Sequence, residues 1–411
     1  MKLGAALARA AFFAVLMVIA GGLVLTGTRD GDAPDDSDLR ALPVAPPDFA
    51  NAQLTLTSAA ALLVRDTQDS RWPALASGEA WDDALVPHAL TANEAALRAF
   101  ERAARQPTFQ SSGAETAEEL VAWIDLARLQ GVRAISLARA GEPPAAVAAA
   151  VADLRVARLV AGDARGTQLV REVAEAMADA SWRATHEVLR HVALGVSDAH
   201  GFAGELAAAR ADATGVRSQL VAAYRDFAGA DAPAADLPPA ALSPALRWLS
   251  TALPARHRIQ PNNTLALYAE RARARIAAAD ESCAADDTTP LFTPSLRSVV
   301  AANSEGRSRI DSSSALDDVR RSACRWNTRI EALRAALAVQ QFERERSALP
   351  PSLESLVPDH LPEPPRDWFG DGALRLDRGA REIVSFGAWD VHTDAGPREE
   401  RFPLLPAPAA P

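Results

Sequence analysis

Apolar positions in this chain fall into two patterns. The first is an unbroken run, Ala10 to Gly27, with no charged residue in it. A helix of about 20 such residues spans a bilayer core. Lys2 and Arg9 precede the run, and Asp30, Asp32, Asp35, Asp36 and Asp38 follow it. The positive-inside rule then leaves the N-terminus in the cytoplasm and exports the rest. A cleaved signal peptide, cut near Ala20-Gly21-Gly22, is the competing interpretation. The continuing apolar residues Leu23, Val24 and Leu25 favour a retained anchor, and no Cys follows to make a lipoprotein.

The second pattern is helical spacing of three and four residues from about 54 to 280. Thr91-Ala-Asn-Glu94 and Thr116-Ala-Glu-Glu119 read as capping boxes. The second opens a helix over 116–140 that Gly141 closes, and Pro143-Pro144 open the next, over 143–161. Val147, Val151, Leu154 and Ala161 line one side of it. Further helices are expected at 166–194, 198–212, 214–229 and 263–279. Residues 281–313 lack periodicity and read as a polar loop. Leu316, Val319, Ala323, Trp326, Ile330, Leu333 and Leu337 then form a stripe of coiled-coil type on one face of a long helix. After Pro350-Pro351 the pattern shortens to two strands, Ala373–Asp377 and Glu382–Phe386.

These patterns divide the chain linearly. The expected segments are an anchor (1–27), an acidic Pro-rich linker (28–53), a helical domain (54–280), the polar loop, a long helix with a small antiparallel sheet (314–395) and an Ala/Pro tail (396–411). The fold class expected is mainly α. Helical hairpins, stacked as a bundle or a short solenoid, follow the transmembrane helix and end in a small α+β domain.

Composition narrows the function. The net charge is −10, with a pI near 5.3, and Lys2 is the lone lysine. An acidic chain of this kind excludes nucleic acid as a partner. Hydrophobic residues make up 48% but aromatics only 5%, and the abundant alanine favours close-packed helices. Cys283 and Cys324 are the two cysteines. In an oxidising compartment they read as a disulfide, against the alternative of two unpaired thiols. Two cysteines cannot close a zinc site by themselves.

The C-terminal residues carry a resemblance. The run Ala335–Phe342, then Leu349-Pro-Pro-Ser-Leu353-Glu, Pro365-Arg-Asp367-Trp-Phe-Gly370 and Ser385-Phe-Gly387-Ala-Trp-Asp390 resemble the globular part of G-class pseudopilins of type II secretion. The likeness covers about 65 residues. It implies a long helix, two turns at the Leu-Pro-x-Ser-Leu-Glu and Pro-x-Asp motifs, and a small antiparallel sheet. The family's prepilin-peptidase site and anchor glutamate have no counterpart here, so pseudopilus assembly is not expected. The stretch Asn262–Arg273, NNTLALYAERAR, resembles the helical part of large exported bacterial proteins with the same ending and no assigned activity.

Candidate chemistry is sparse. His186 and His191 stand at i and i+5, whereas a zincin needs i and i+4 on one helical face. Arg321, Arg325 and Arg329 form a basic row, either a solvated face or a dock for an acidic partner. Asp371, Asp390 and Asp394 are turn aspartates or, as the pseudopilin resemblance implies, calcium ligands; calcium needs six to eight oxygens. His257 and His392 have no nucleophile partner in sequence. No catalytic, cofactor or metal residue is therefore assigned. The expectation is a non-catalytic scaffold of the bacterial envelope, inner-membrane anchored with its bulk in the periplasm. Its partners would be the membrane, through one helix, and other envelope proteins. The alternatives are an accessory of a type II secretion or pilus-like machine, and an exported hydrolase with a site assembled in space.

Overall fold

The computed structural model describes residues 29–405, apart from 66–70, 164, most of 230–254, 284–289, 293–294, 371 and 388–398. The expected anchor, Ala10–Gly27, lies outside the described residues. Among the described residues no helix is long and apolar enough to cross a membrane. The chain forms two compact units, each assembled from separate pieces of sequence rather than from the linear segments expected above. The larger comprises 42–222, 278–286 and 317–411; the smaller comprises 1–41, 223–277 and 287–316.

In chain order the principal helices are α1 (Ala52–Ala61), α2 (Trp72–Ala76), α3 (Leu85–Ala92), α4 (Glu94–Ala103), α5 (Ala117–Arg139), α6 (Pro143–Ala161), α7 (Gln168–His191), α8 (Val196–Ala208), α9 (Ala213–Gly229), α10 (Pro261–Ala277), α11 (Ser304–Ser312) and α12 (Ala315–Arg346). Strands β1 (Arg375–Asp377), β2 (Glu382–Ser385) and β3 (Glu400–Pro403) make one antiparallel sheet in the order β1-β2-β3. The molecule is mainly helical with a small sheet, as the periodicity required.

In the larger unit, the α5–α6 hairpin follows its sequence signals closely. The Thr116 hydroxyl accepts from the Glu119 N–H while the Glu119 carboxylate accepts from the Thr116 N–H, so this capping box forms. At the other end Gly141 adopts φ +76°, and the N–H of Glu142 reaches back to the Leu137 carbonyl at 3.0 Å. That left-handed position suits glycine, and Pro143 then starts α6. Helix α7 packs on both α5 and α6, the closed arrangement of a bundle. Small residues set the spacing: Ala96, Ala99 and Ala103 of α4 meet Ala52 and Ala59 of α1 in a core that also holds Phe100, Trp123 and Met177.

The other expected capping box does not form. Asn93 makes no cap bond to α4; its buried amide instead accepts from the Val64 N–H at 2.7 Å and donates to the Val64 carbonyl at 3.1 Å. Thr91, the residue that the local pattern assigns to the cap, lies inside α3 instead, and its hydroxyl donates to the Pro87 carbonyl at 2.8 Å.

Helix α12 also departs from expectation. The stripe from Leu316 to Leu337 is buried apart from half-buried Ala323, but so is nearly every residue from Trp326 to Gln341. It is a central helix rather than a one-sided seam. A single core joins its Ile330, Leu333 and Leu337 to Ile135 of α5, Leu154 of α6, Val188 of α7, Phe202 of α8, and Ile383 and Phe402 of the sheet. The long helix and the sheet are thus continuous with the helical hairpins, in place of a separate terminal domain.

Two further corrections concern segments expected to lack structure. Residues 400–403, assigned to the tail, form β3. Phe402 is buried against Trp182 of α7, and His186 contacts the Pro403 carbonyl at 2.9 Å. The acidic linker is likewise structured. In the smaller unit the Asp30 carboxylate accepts the N–H groups of Asn262 and Asn263 at 3.0 and 3.1 Å, capping α10. Asp36 accepts from the Tyr224 hydroxyl, and Arg273 holds Asp38 at 2.7 Å. The polar loop contains α11, entered through Asn303 at φ +60°. The Asn303 side chain accepts from Thr264 at 2.9 Å and from the Gln260 N–H at 3.0 Å. A side chain at Gly306 would collide with Thr264 and Asn303.

Cys283 and Cys324 are joined, with their Cα atoms 6.3 Å apart. The bond ties the 278–286 segment to α12, where Arg320 also donates to the Ala278 and Ser282 carbonyls. A Cys324→Ser variant is expected to lose up to about 4 kcal/mol, as loop closure over 41 residues implies. Urea unfolding followed by tryptophan emission checks this. Wild-type protein treated with dithiothreitol should match the variant, and an unshifted midpoint in either would refute a stabilising bond.

Candidate interaction surface

Eleven large hydrophobic residues are exposed among the described residues, and six lie between Leu42 and Val64. Scattered apolar exposure is ordinary on any protein surface; such a concentration is not. Val44 is 93% exposed and Phe49 84%. Helix α1 explains part of the strip. Its inner row, Ala52, Leu56 and Ala59, is buried against α4, and its outer row, Leu54, Ser58 and Leu62, faces solvent at i, i+4 and i+8.

The strip is held in place by backbone pairing. The Ala52 N–H donates to the Thr108 carbonyl at 2.8 Å, and the Thr108 hydroxyl donates to the Ala50 carbonyl at 2.7 Å. The Asn51 side chain donates to the Gln110 carbonyl and accepts from the Gln110 N–H. Gln106 donates to the Phe49 carbonyl at 3.3 Å. The Phe49 ring therefore stands in water on an anchored backbone. At the far end, the Asn93 bonds fix exposed Val64, and Arg65 pairs with Asp125 of α5 at 3.3 Å. Val121, half exposed, lies on α5 between Glu118 and Asp125, the two carboxylates nearest Arg65.

The residues singled out by sequence are dispersed. His186 turns to the Pro403 carbonyl, and burial holds its pKa below the ordinary histidine value. His191 contacts Glu187 at 2.9 Å. The two rings thus serve separate partners. Two members of the basic row are engaged: Arg321 binds Asp318 at 2.6 Å, while Arg329 binds Asp179 at 3.0 Å and Glu400 at 2.9 Å and lies over the Trp182 ring. Only Arg325 of that row is exposed. His257 is buried. Asp371, Asp390, Asp394 and His392 lie outside the described residues. Among the described residues no group of His, Cys, Asp or Glu is placed to hold a metal.

Sequence inspection missed the buried carboxyls. Asp153 of α6 is 1% exposed, and neither of its carboxyl oxygens has a hydrogen-bond partner. Gly131 of α5 and Ala184 of α7 crowd it, and the neighbouring Ser181 hydroxyl donates instead to the Met177 carbonyl. Burial raises its pKa well above the usual carboxylate value, and Ser181 opposes this weakly. Asp163, also raised by burial, accepts from the Ser111 and Arg165 N–H groups. The signal for Asp153 was present in the sequence: it sits among Ala146, Ala149, Ala150, Leu154 and Ala157, on the apolar stripe of its own helix.

Asp153 makes stability depend on pH. Unfolded, the carboxyl ionises near pH 4; folded, it keeps its proton to a distinctly higher pH. Between those values the folded state binds more protons, so stability falls as pH rises through the window. An Asp153→Asn variant has no proton to lose there. Its melting temperature should decline less than wild type between pH 4 and pH 8, and should exceed wild type at pH 8. Parallel melting curves for the two proteins would refute a buried neutral carboxyl.

Comparison with protein-family models, curated proteins and solved structures finds no match, so the geometry alone carries the functional conclusion.

Proposed function

We propose that this protein is a membrane-anchored, exported helical scaffold of the bacterial cell envelope, without catalytic activity, that docks another envelope protein on its 42–64 strip. The single observation that carries this is the anchored, solvent-facing set Leu42, Val44, Phe49, Leu54, Leu62 and Val64. Phe49 and Leu54 sit on or beside backbone held to the 106–110 segment, and Val64 is held by Asn93, so these side chains lose little further entropy on binding. A protein fits this strip better than a lipid surface. Membrane-surface elements carry Lys and Arg to meet anionic headgroups. Here the flanking charges include Asp48 and Glu118, and Arg65 is paired with Asp125.

A second proposal, an accessory role in a type II secretion or pilus-like machine, draws on one observation. A long helix leads into a three-stranded antiparallel sheet whose preceding turn is held by Asp367. That carboxylate accepts from the N–H groups of Phe369 and Phe386 and from the Ser385 hydroxyl. The arrangement is the one that the pseudopilin resemblance implies.

Photo-crosslinking in intact membranes tests the first proposal. A benzophenone amino acid placed in the full chain at Phe49, Leu54 or Leu62 is expected to yield the same discrete protein adduct, and none from exposed Glu142. Lipid adducts alone, or no adduct from all three sites, would overturn the docking role. A cytoplasm-only signal from a reporter fused behind Phe49 would overturn export. Loss of this chain with a tenfold fall in enzyme secretion would favour the second proposal instead.

A further inference from the structure

The larger unit contains a small recess between α8 and α12, well separated in sequence from the 42–64 strip. Its volume is about 20 Å³, room for one small group. Val196, Ala199 and Leu337 form apolar walls; Arg334, His200 and His360 supply polar edges. The arginine is the unusual member. It is 5% exposed, yet it lies deep between helices where a lone cation is costly. One of its terminal nitrogens donates to both oxygens of Glu331, at 2.8 and 2.9 Å. Arg210 donates to the same carboxylate at 3.0 Å. Two guanidinium groups therefore share a single counter-charge, and one positive charge is left over. The Nε–H of Arg334 is buried with no acceptor.

The two histidines stand differently. His200 is exposed at the mouth, and its Nδ1 lies 2.8 Å from the Val196 carbonyl. Nδ1 therefore carries the proton that this carbonyl accepts, which leaves Nε2 as an acceptor with no hydrogen to offer an anion. His360 is half-buried, with its ring edge on Phe342 and its Nε2 3.6 Å from Glu345. His360 is thus partly engaged, and the Arg334 Nε–H is the donor offered to an incoming anion.

We propose that this recess binds a single carboxylate group. The excess of one positive charge matches a monoanion, and the one buried N–H without an acceptor matches a single accepting oxygen. A carboxylate oxygen would satisfy the Arg334 Nε–H, and the apolar walls would accept the carbon that bears the group. The source is a small free acid or the C-terminus of a peptide, which share this chemistry.

Thermal unfolding of the full chain in detergent tests the proposal, with sodium formate and sodium acetate as probes against sodium chloride at matched ionic strength. Formate and acetate are expected to raise the midpoint saturably, by a few degrees, and chloride to leave it unmoved. Arg334→Lys, which keeps the charge but removes Nε, should abolish the shift. His200→Ala, at an exposed position where folding is not at risk, should leave the shift in place, since that ring gives the anion no hydrogen. A free-acid tripeptide that shifts the midpoint at tenfold lower concentration than its amidated form assigns the site to a peptide terminus; equal potency of acetate and the free-acid tripeptide assigns it to small acids. An equal response to chloride, or a full response in Arg334→Lys, would overturn the proposal.

Discussion

The larger unit depends on burying α12 on every side. A helix of 32 residues is about 48 Å long, and this one carries amides and charges deep into the core. Each must find a partner, because a buried polar group left alone costs more than its bond returns. Asn327 accepts from the Ala211 N–H at 2.8 Å, and Glu331 is shared by Arg210 and Arg334. Arg344 and Gln341 both donate to the Leu194 carbonyl, and Gln340 donates to that of Leu189. Glu343 accepts two bonds from Arg381 beside β2. Leucine packing alone tolerates sliding; these bonds fix which turn of α12 faces which loop. The frayed backbone ends after α7 and α8 are closed by side chains from the central helix.

The larger unit's helices were legible where signals were local. Thr116, Gly141 and Pro143 set the ends of the α5–α6 hairpin within a residue or two, because caps and turns act over three or four positions. The face pattern of α12 was half legible. Its apolar stripe was visible, but nothing local marked Thr328, Glu331, Gln340 and Gln341 as buried, since each has a partner in another segment of the chain. Asp30 and Asp36 looked like a charged spacer for the same reason: the N–H groups of Asn262 and Asn263 and the hydroxyl of Tyr224 are invisible to local patterning. Strand β3 is four residues long in a proline-rich end, so neither period nor composition marked it. The 42–64 strip escaped because exposure is a property of the packed chain. Leu54 and Leu56 look alike in sequence, and one is solvent-facing while the other is fully buried.

The stretch Asn262–Tyr268 gains a physical account. Its two asparagine N–H groups meet Asp30, Thr264 meets Asn303, and Tyr268 stacks between Tyr224 and Phe227 with ring centroids 5.8 and 3.7 Å away. The residues that make it distinctive in sequence are those that gather the smaller unit. Structure and chemistry here divide cleanly. Buried polar groups define register, while the exposed strip and the Arg334 recess are the surfaces on which the proposed partner and carboxylate would bind.

Strand β3 seats Phe402 on Trp182, some 220 residues upstream. Helix α7 therefore emerges from the ribosome well before the strand that packs on its Trp182. Contacts of such separation slow folding and leave sticky surface exposed meanwhile. Synthesis thus includes an interval in which Trp182 waits for Phe402, and a premature stop before residue 400 leaves that ring contact unmade.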